Sequence, residues 1–240
     1  MKGEDTPASY QIRCCQRCGL RYPVVQGQPF RERCPRCRGA THLALERALS
    51  REAWGTPTLK AGEAEAGGGR ASLQLEAFLD NIRSAWNVGS IFRSADGAGF
   101  SRVHLCGISP TPEYPGVAKT ALGAEKSLPW EYAPDGVALA RCLLEQGCRL
   151  WALEQDERAE PLEAAAGLNP ALPGARLVLV VGNELCGVDP GILELCERVV
   201  YLPMRGGKRS LNVAVAFGIA AFALGRIGVG CGAANRAASP

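Results

Sequence analysis

Four cysteines stand in two matching pairs, Cys15-Gln-Arg-Cys18-Gly and Cys34-Pro-Arg-Cys37-Arg-Gly. Two C-x2-C turns separated by fifteen residues bring four thiolates around one tetrahedral ion, and Zn²⁺ is the ion such sites hold. Cys14 precedes the first pair and would make a C-x3-C with Cys18, but Cys15 gives two equal turns. Four sulfur ligands close the coordination sphere, so the chemistry expected is structural. A segment of about 45 residues has too small a core to fold unaided, and the metal would supply much of its folding energy.

Three polar clusters lie further along. The first is Asn81-Ile-Arg-Ser-Ala-Trp-Asn87-Val-Gly89-Ser-Ile-Phe-Arg93. The second is Gly182-Asn183-Glu184-Leu-Cys-Gly187, and the third is Leu202-Pro203-Met204-Arg-Gly-Gly-Lys-Arg-Ser210-Leu211-Asn212-Val213. Each follows an apolar run of strand character, and ligands in open α/β sheets bind outside the carboxyl ends of strands. Glycine-rich turns let the backbone approach a ligand closely. Taken singly the clusters have plainer readings: a turn, an N-cap at Ser210, a surface arginine at Arg93. Neither G-x-G-x-x-G nor G-x-x-x-x-G-K-[ST] is present, which weakens dinucleotide and P-loop readings.

The elements that must position these clusters follow from periodicity. Leu73, Leu75, Ala77 and Leu79 alternate with Gln74, Glu76, Phe78 and Asp80, as in a strand. Val88, Ile91, Phe92, Ala95 and Ala98 recur at helical spacing. Residues 102–106, 149–153, 177–181 and 198–202 read as strands, and 135–146 and 211–226 as helices. Strands alternating with helices predict an α/β domain with a mostly parallel sheet and helices on both faces. The organisation expected is a zinc ribbon at 1–45, a Gly/Ala/Glu-rich linker at 46–71, the α/β domain at 72–227 and a flexible tail at 228–240.

Composition bounds the partners. The net charge is +3, but residues 1–60 hold eleven Lys/Arg against five Asp/Glu (+6), leaving −3 for the rest. Seven of those cations are Arg13, Arg17, Arg21, Arg31, Arg33, Arg36 and Arg38. A basic module on a mildly acidic body points to a polyanion such as RNA. The polar start resembles no signal peptide, and with reduced, clustered cysteines it suggests a cytoplasmic protein. The most apolar run, residues 213–224, is too short to span a bilayer.

The ordered motifs Asn87-x-Gly89-x-x-x-Arg93, Gly182-Asn183-Glu184-x-x-Gly187 and Pro203-Met204-x-Gly…Ser210-Leu211-Asn212-Val213 resemble the SpoU/TrmH-like branch of the SPOUT methyltransferases. The likeness covers about residues 73–226, and Lys119-Thr-Ala-Leu-Gly-Ala-Glu125 with Pro129-Trp130 adds to it. It implies a C-terminal trefoil knot, a homodimer, and methylation of a ribose 2′-hydroxyl in tRNA or rRNA with S-adenosylmethionine. By motif match, Gly182, Leu202 and Leu211 contact the cofactor, and Leu153, Glu154, Asn183, Gly187, Pro203 and Met204 line its pocket. Arg93 is the residue such enzymes use to make the 2′-oxygen nucleophilic. Because its pKa exceeds about 12, stabilising the developing alkoxide is the sounder role. Asn87, Glu184, Ser210 and Asn212 position Arg93 and the ribose. Two alternatives remain open at this point: an RNA-binding relative without catalysis, and a base-directed methyltransferase on the same fold.

Overall fold

A computed structural model describes residues 9–25, 27–48, 73–167 and 175–228. The linker expected before residue 72 lies almost wholly outside these residues, and so does the tail from residue 229. Two sheets are present. The small one has three antiparallel strands in the order β2-β1-β3: β1 (Ser9–Cys15), β2 (Arg21–Val25) and β3 (Thr41–Ala48). β3 runs to Ala48, past the expected limit at residue 45, because β1 pairs with it as far as Ser9↔Ala48.

The large sheet has seven strands: β4 (Gln74–Asp80), β5 (Arg102–Cys106), β6 (Trp130–Ala133), β7 (Arg149–Leu153), β8 (Glu160–Pro161), β9 (Arg176–Val181) and β10 (Arg198–Tyr201). Their order is β6-β5-β4-β9-β7-β10-β8, and every pairing is parallel. Parallel pairing puts all the carboxyl ends on one side of the domain. β9, β7 and β10 are consecutive neighbours, so the loops leaving them meet.

Helices cover both faces. α1 (Ala85–Gly97), α2 (Pro115–Ala121), α3 (Ala124–Ser127), α5 (Leu162–Gly167) and α7 (Val213–Gly228) lie on the face that carries Leu75, Ala77 and Leu79. α4 (Gly136–Glu145) and α6 (Pro190–Leu193) lie on the other, against Phe78, Val178, Val180, Leu150 and Ala152. None of the described helices is long and apolar enough to cross a membrane.

β4 lies inside the sheet, with both of its faces covered. Its second face does not meet water: Glu76 and Asp80 are buried with Phe78. A buried carboxylate must be paired. Glu76 accepts from His104 Nε2 at 2.7 Å and ion-pairs with Arg176 at 2.7 Å, while His104 Nδ1 meets Glu131 at 2.6 Å. Burial pushes the Glu76 carboxyl up, but the His104 and Arg176 contacts outweigh it and hold it below the usual range.

α1 begins at an N-cap, Ser84, whose hydroxyl accepts from the Asn87 amide. Its apolar stripe Val88, Ile91, Phe92 and Ala95 is fully buried. Gly89 lies where α1 crosses α2. A Cβ there would sit 2.0 Å from Thr120 Oγ1 and 2.3 Å from the Val117 carbonyl oxygen. Helix propensity alone would favour alanine by about 1 kcal/mol. The clash with backbone reverses that sign, since overpacking typically costs about 1–3 kcal/mol. Gly89→Ala is therefore expected to lower the urea midpoint at unchanged slope, and a raised midpoint would show that the helices can separate freely.

Candidate active site and tetrathiolate cluster

The three polar clusters meet at the carboxyl ends of the strands, and a chain of side chains joins them. Glu184, in the loop after β9, accepts from the backbone amides of Arg83 (3.0 Å) and Ser84 (3.2 Å) ahead of α1. It also accepts from Asn87 Nδ2 at 2.9 Å. Asn87 Oδ1 in turn accepts from Asn212 Nδ2 at 3.1 Å, and Asn212 Oδ1 accepts from the Ala214 amide at 2.9 Å. Each partner fixes the next amide's orientation. Asn212 must present its oxygen to the helix amides, which leaves its nitrogen to donate; Asn87 must then present oxygen to Asn212 and nitrogen to the carboxylate.

Burial pushes the Glu184 carboxyl up, but the amides of Arg83 and Ser84 and the Asn87 side chain more than offset it. The group is held below the ordinary carboxylate range, as hydrogen bonds to the charged form require.

Asn212, not Ser210, caps α7: Ser210 is exposed and lies in the loop before the cap. The helix accordingly starts at Val213, two residues later than expected. Arg93 is exposed on α1, six residues or about 9 Å along the axis from Asn87. It makes none of the hydrogen bonds of the Glu184–Asn87–Asn212 chain. Arg93 is one turn from Gly97, and Gly97 lies beside the Phe222 ring of α7.

The residues expected around a cofactor form a compact group. Leu153 ends β7 and is followed by Glu154; Gly182 and Asn183 follow β9; Leu202, Pro203 and Met204 follow β10. Glu154 Oε2 accepts from the Val188 amide at 3.0 Å and Oε1 from the Gln155 amide at 2.8 Å. Its carboxylate thus clamps the end of the 182–188 loop, and burial pushes its pKa up against those two hydrogen bonds. Asn183 ties the same loop inward, donating to the Asn81 carbonyl at 2.7 Å and accepting from the Leu185 and Cys186 amides.

Two glycines are obligatory here. A Cβ on Gly182 would lie 2.2 Å from the backbone of Gly187 and Val188. Gly187 has φ +72°, and a Cβ would lie 2.4 Å from the Glu154 carboxylate. Beyond them Gly206 and Gly207 face open space, Leu211 is exposed, and Gln155 Nε2 donates to the Arg209 carbonyl.

The cysteine cluster forms as the spacing implies. The Sγ atoms of Cys15, Cys18, Cys34 and Cys37 all lie within 4.8 Å of one another. Cys15 and Cys37 sulfurs are 3.4 Å apart, and Cys18 and Cys34 sulfurs 3.7 Å. A tetrahedron with Zn–S bonds of about 2.3 Å has edges of about 3.8 Å, so the four thiols fit that ion. Cys14 is excluded, because its thiol points to Arg21 Nη1 at 3.9 Å.

The ribbon packs on the carboxyl end of the large sheet. Ile108, just after β5, joins Leu20, Tyr22, Val24, Cys15 and Cys34 in the ribbon's core. Arg36 lies over the Tyr132 ring of β6 at 5.3 Å. Of the seven arginines, Arg21 faces inward to Asp189, which takes its charge away from any polyanion. Arg13 is half-buried on Thr41 and Gln11. Arg17, Arg31, Arg33, Arg36 and Arg38 are exposed.

Sequence reasoning missed Arg83 and Ser84, which act through backbone amides and so carry no side-chain signal. It also missed Asp80 and Asp189. Asp189-Pro190 was a legible hint, being an N-cap ahead of a proline at the first helical position, and Asp189 Oδ1 does accept from the Gly191 amide at 2.8 Å.

Polar loops from β9 and β10 joined to the head of α1, at the carboxyl ends of a parallel sheet, stand where open α/β folds bind their ligands. The chain belongs to the SpoU rRNA Methylase family, which matches residues 74–222, more than half of its length. It is 34% identical over 164 residues to the 23S rRNA (guanosine-2′-O-)-methyltransferase RlmB of Xanthomonas axonopodis pv. citri, covering 67% of this chain and 61% of that protein. The AdoMet-bound rRNA methyltransferase from Sinorhizobium meliloti superposes with a TM-score of 0.57 at 25% identity, over 64% of this chain and 56% of that one. The A. aeolicus TrmH/SpoU tRNA modifying enzyme superposes with a TM-score of 0.56 at 26% identity, over 66% and 77% of the two chains. The chain spans about three fifths of the length of the curated relatives it matches.

Glu184→Gln sets an amide nitrogen against donors that now meet a carboxylate. A mismatch of this kind costs about 1–3 kcal/mol. The wild-type contribution is fully present above the unfolded glutamate pKa of about 4.3 and is lost as pH falls through the lower folded value. Denaturation from pH 7 to pH 3 should therefore show the gap between wild type and Glu184→Gln closing in acid; a gap constant with pH would contradict an ionised Glu184.

Proposed function

We propose that this chain methylates a ribose 2′-hydroxyl of RNA, in tRNA or rRNA, with S-adenosylmethionine as donor. The observation that carries this reading is the Glu184–Asn87–Asn212 chain, which locks three loops into one mouth at the carboxyl ends of the sheet. The 2′-O-methyltransferase activity of the Xanthomonas relative and the AdoMet-bound state of the Sinorhizobium neighbour support it. A bound cofactor supplies a methyl group already activated by a positive sulfur.

The cofactor's place is the group formed by Leu153, Glu154, Gly182, Asn183, Gly187, Leu202, Pro203, Met204 and Leu211. The half-buried apolar side chains of Leu202 and Met204 and the close backbone at Gly182–Gly187 suit the flat adenine ring of that cofactor. The C-terminal segment is taken to form the family's trefoil knot. The contacts of Glu154 with Val188 and of Gln155 with Arg209, which draw the two loops over the end of β7, support that path.

Glu184 stays ionised and holds Asn87; Asn87 and Asn212 together set the head of α1 against α7. Ser210 and Asn212 flank the ribose. Arg93 stabilises the developing 2′-oxyanion as a fixed cation; the guanidinium keeps its own protons, and the hydroxyl proton passes to water. Arg93 stands away from Asn87 within one chain, and a homodimer accounts for this. α7 exposes Val215, Ile219 and Phe222 at helical spacing, 49–52% exposed, and Arg93 flanks that stripe through Gly97. A second copy on the stripe would place each Arg93 at the partner's mouth.

The four cysteines are taken to hold Zn²⁺, and the exposed Arg17, Arg31, Arg33, Arg36 and Arg38 to grip RNA phosphates beside the mouth. The cytoplasm suits both reduced thiols and an RNA substrate.

Calorimetric titration of S-adenosylmethionine into the protein, beside Arg93→Ala, tests the reading. Both should bind with similar affinity, and methyl transfer to bulk RNA should fall about 10²–10³-fold in Arg93→Ala. No binding by folded, cofactor-free protein would overturn it.

A further inference from the structure

Beside the Ile108 and Tyr132 contacts, a buried ion pair joins the ribbon to the large domain. Arg21, three residues after Cys18 at the start of β2, donates from Nη2 to Asp189 Oδ1 at 3.0 Å and from Nε to Asp189 Oδ2 at 2.5 Å. The side chains are 15% and 1% exposed, so the pair is desolvated. Buried bidentate pairs of this kind are directional, and removing one partner strands the other charge.

Asp189 directly follows the 182–188 loop and is fixed at several points. Its amide donates to Asp80 Oδ2 at 2.7 Å, and its Oδ1 caps α6 at Gly191. Asp80 ends β4 and also accepts from Asn81 Nδ2 at 2.7 Å. Burial, and then the neighbouring charge of Asp189, push the Asp80 carboxyl up to about 7. Two acids thus share one desolvated pocket, and the cation paired with Asp189 there comes from the ribbon.

The backbone around Arg21 is anchored as well. Its amide donates to the Pro134 carbonyl at 3.0 Å, and its carbonyl lies so close to Gly107 that a Cβ there would approach to 2.8 Å. Arg21 is therefore held rigidly where its fork meets Asp189. On the opposite flank, Val188 is clamped by Glu154. The loop that carries Glu184 and Gly187 is pinned at its outgoing end by Glu154 from the sheet and Arg21 from the ribbon.

We propose that Arg21 is a positioning residue for the 182–189 loop, so that the ribbon is a built-in part of the cofactor pocket and not only an RNA grip. The link to the cofactor rests on the methyltransferase reading above; the link to the loop does not. Arg21 touches neither cofactor nor substrate and acts through Asp189.

The test uses the full chain and four variants: Arg21→Gln, Arg21→Lys, Asp189→Asn, and His42→Gln as an exposed control on β3. Amide hydrogen exchange is followed without ligand, and S-adenosylmethionine affinity is measured separately. Arg21→Gln should speed exchange across residues 182–191 about tenfold or more, with β1–β3 and the β4–β9 core unchanged, and should raise the Kd about tenfold. Asp189→Asn should do the same while leaving the ribbon intact, which keeps the test open if Arg21→Gln does not fold. Arg21→Lys, with the charge but not the fork, should fall between. His42→Gln should match wild type.

Unchanged exchange in 182–191 for both Arg21→Gln and Asp189→Asn would overturn the proposal, as would faster exchange spread evenly over the chain. If wild type binds no S-adenosylmethionine, the cofactor reading fails by itself, and exchange still decides whether Arg21 holds the loop.

Discussion

One carboxylate organises the mouth of this protein. Glu184 accepts hydrogen bonds from two backbone amides and one side-chain amide, all from the segment that opens α1. Without it, the loop after β9 has no polar tie to α1, and Asn87 loses the partner that orients its amide. Asn212 would then lose its acceptor, and the entry of α7 would be held by its own cap alone. Hydrogen bonds to an ionised acceptor are roughly twice as strong as neutral ones, and a half-buried site sharpens the effect.

The sheet makes that convergence possible. Seven parallel strands place every outgoing loop on one side, and the order β9-β7-β10 sets three of them next to each other. Gly182 and Gly187 then let the backbone cross itself at a separation no other residue allows. The polar machinery is built almost entirely from loops, and the 182–189 loop is pinned from two strand ends: by the Asp80 side chain and the Asn81 carbonyl at the end of β4, and by the Glu154 side chain after β7.

Much of this was legible in the sequence, for physical reasons. Arg102–Cys106 and Arg149–Leu153 are strands with the expected limits, and the 135–146 helix is Gly136–Glu145 with Asp135 as its cap. Buried parallel strands and capped amphipathic helices leave strong periodic marks. β6 left none: Trp130-Glu-Tyr-Ala is four half-buried residues at a sheet edge. β1 and β3 left no alternation to read, since β1 buries Tyr10, Gln11 and Ile12 in succession and β3 buries none of its residues fully. β4 showed its period, but the partners of its buried polar residues were not legible. Its polar residues face a second covered side, where Glu76 and Asp80 find buried partners that lie far away in the chain. The same distance hid the Arg21–Asp189 pair, whose members are 168 residues apart. Charge counting placed Arg21 with the RNA-facing arginines, and only the fold turns it inward.

Where the methyl group goes tests the account most directly. The protein, bulk tRNA and rRNA are incubated with methyl-labelled S-adenosylmethionine, and the RNA is then hydrolysed in alkali. Alkaline cleavage needs a free 2′-hydroxyl, so a 2′-O-methyl group protects the bond beside it. Label should appear in alkali-resistant dinucleotides and fall about 10²–10³-fold with Arg93→Ala. Label in mononucleotides would mean methylation of a base and would contradict the assignment of Arg93 to a ribose oxygen.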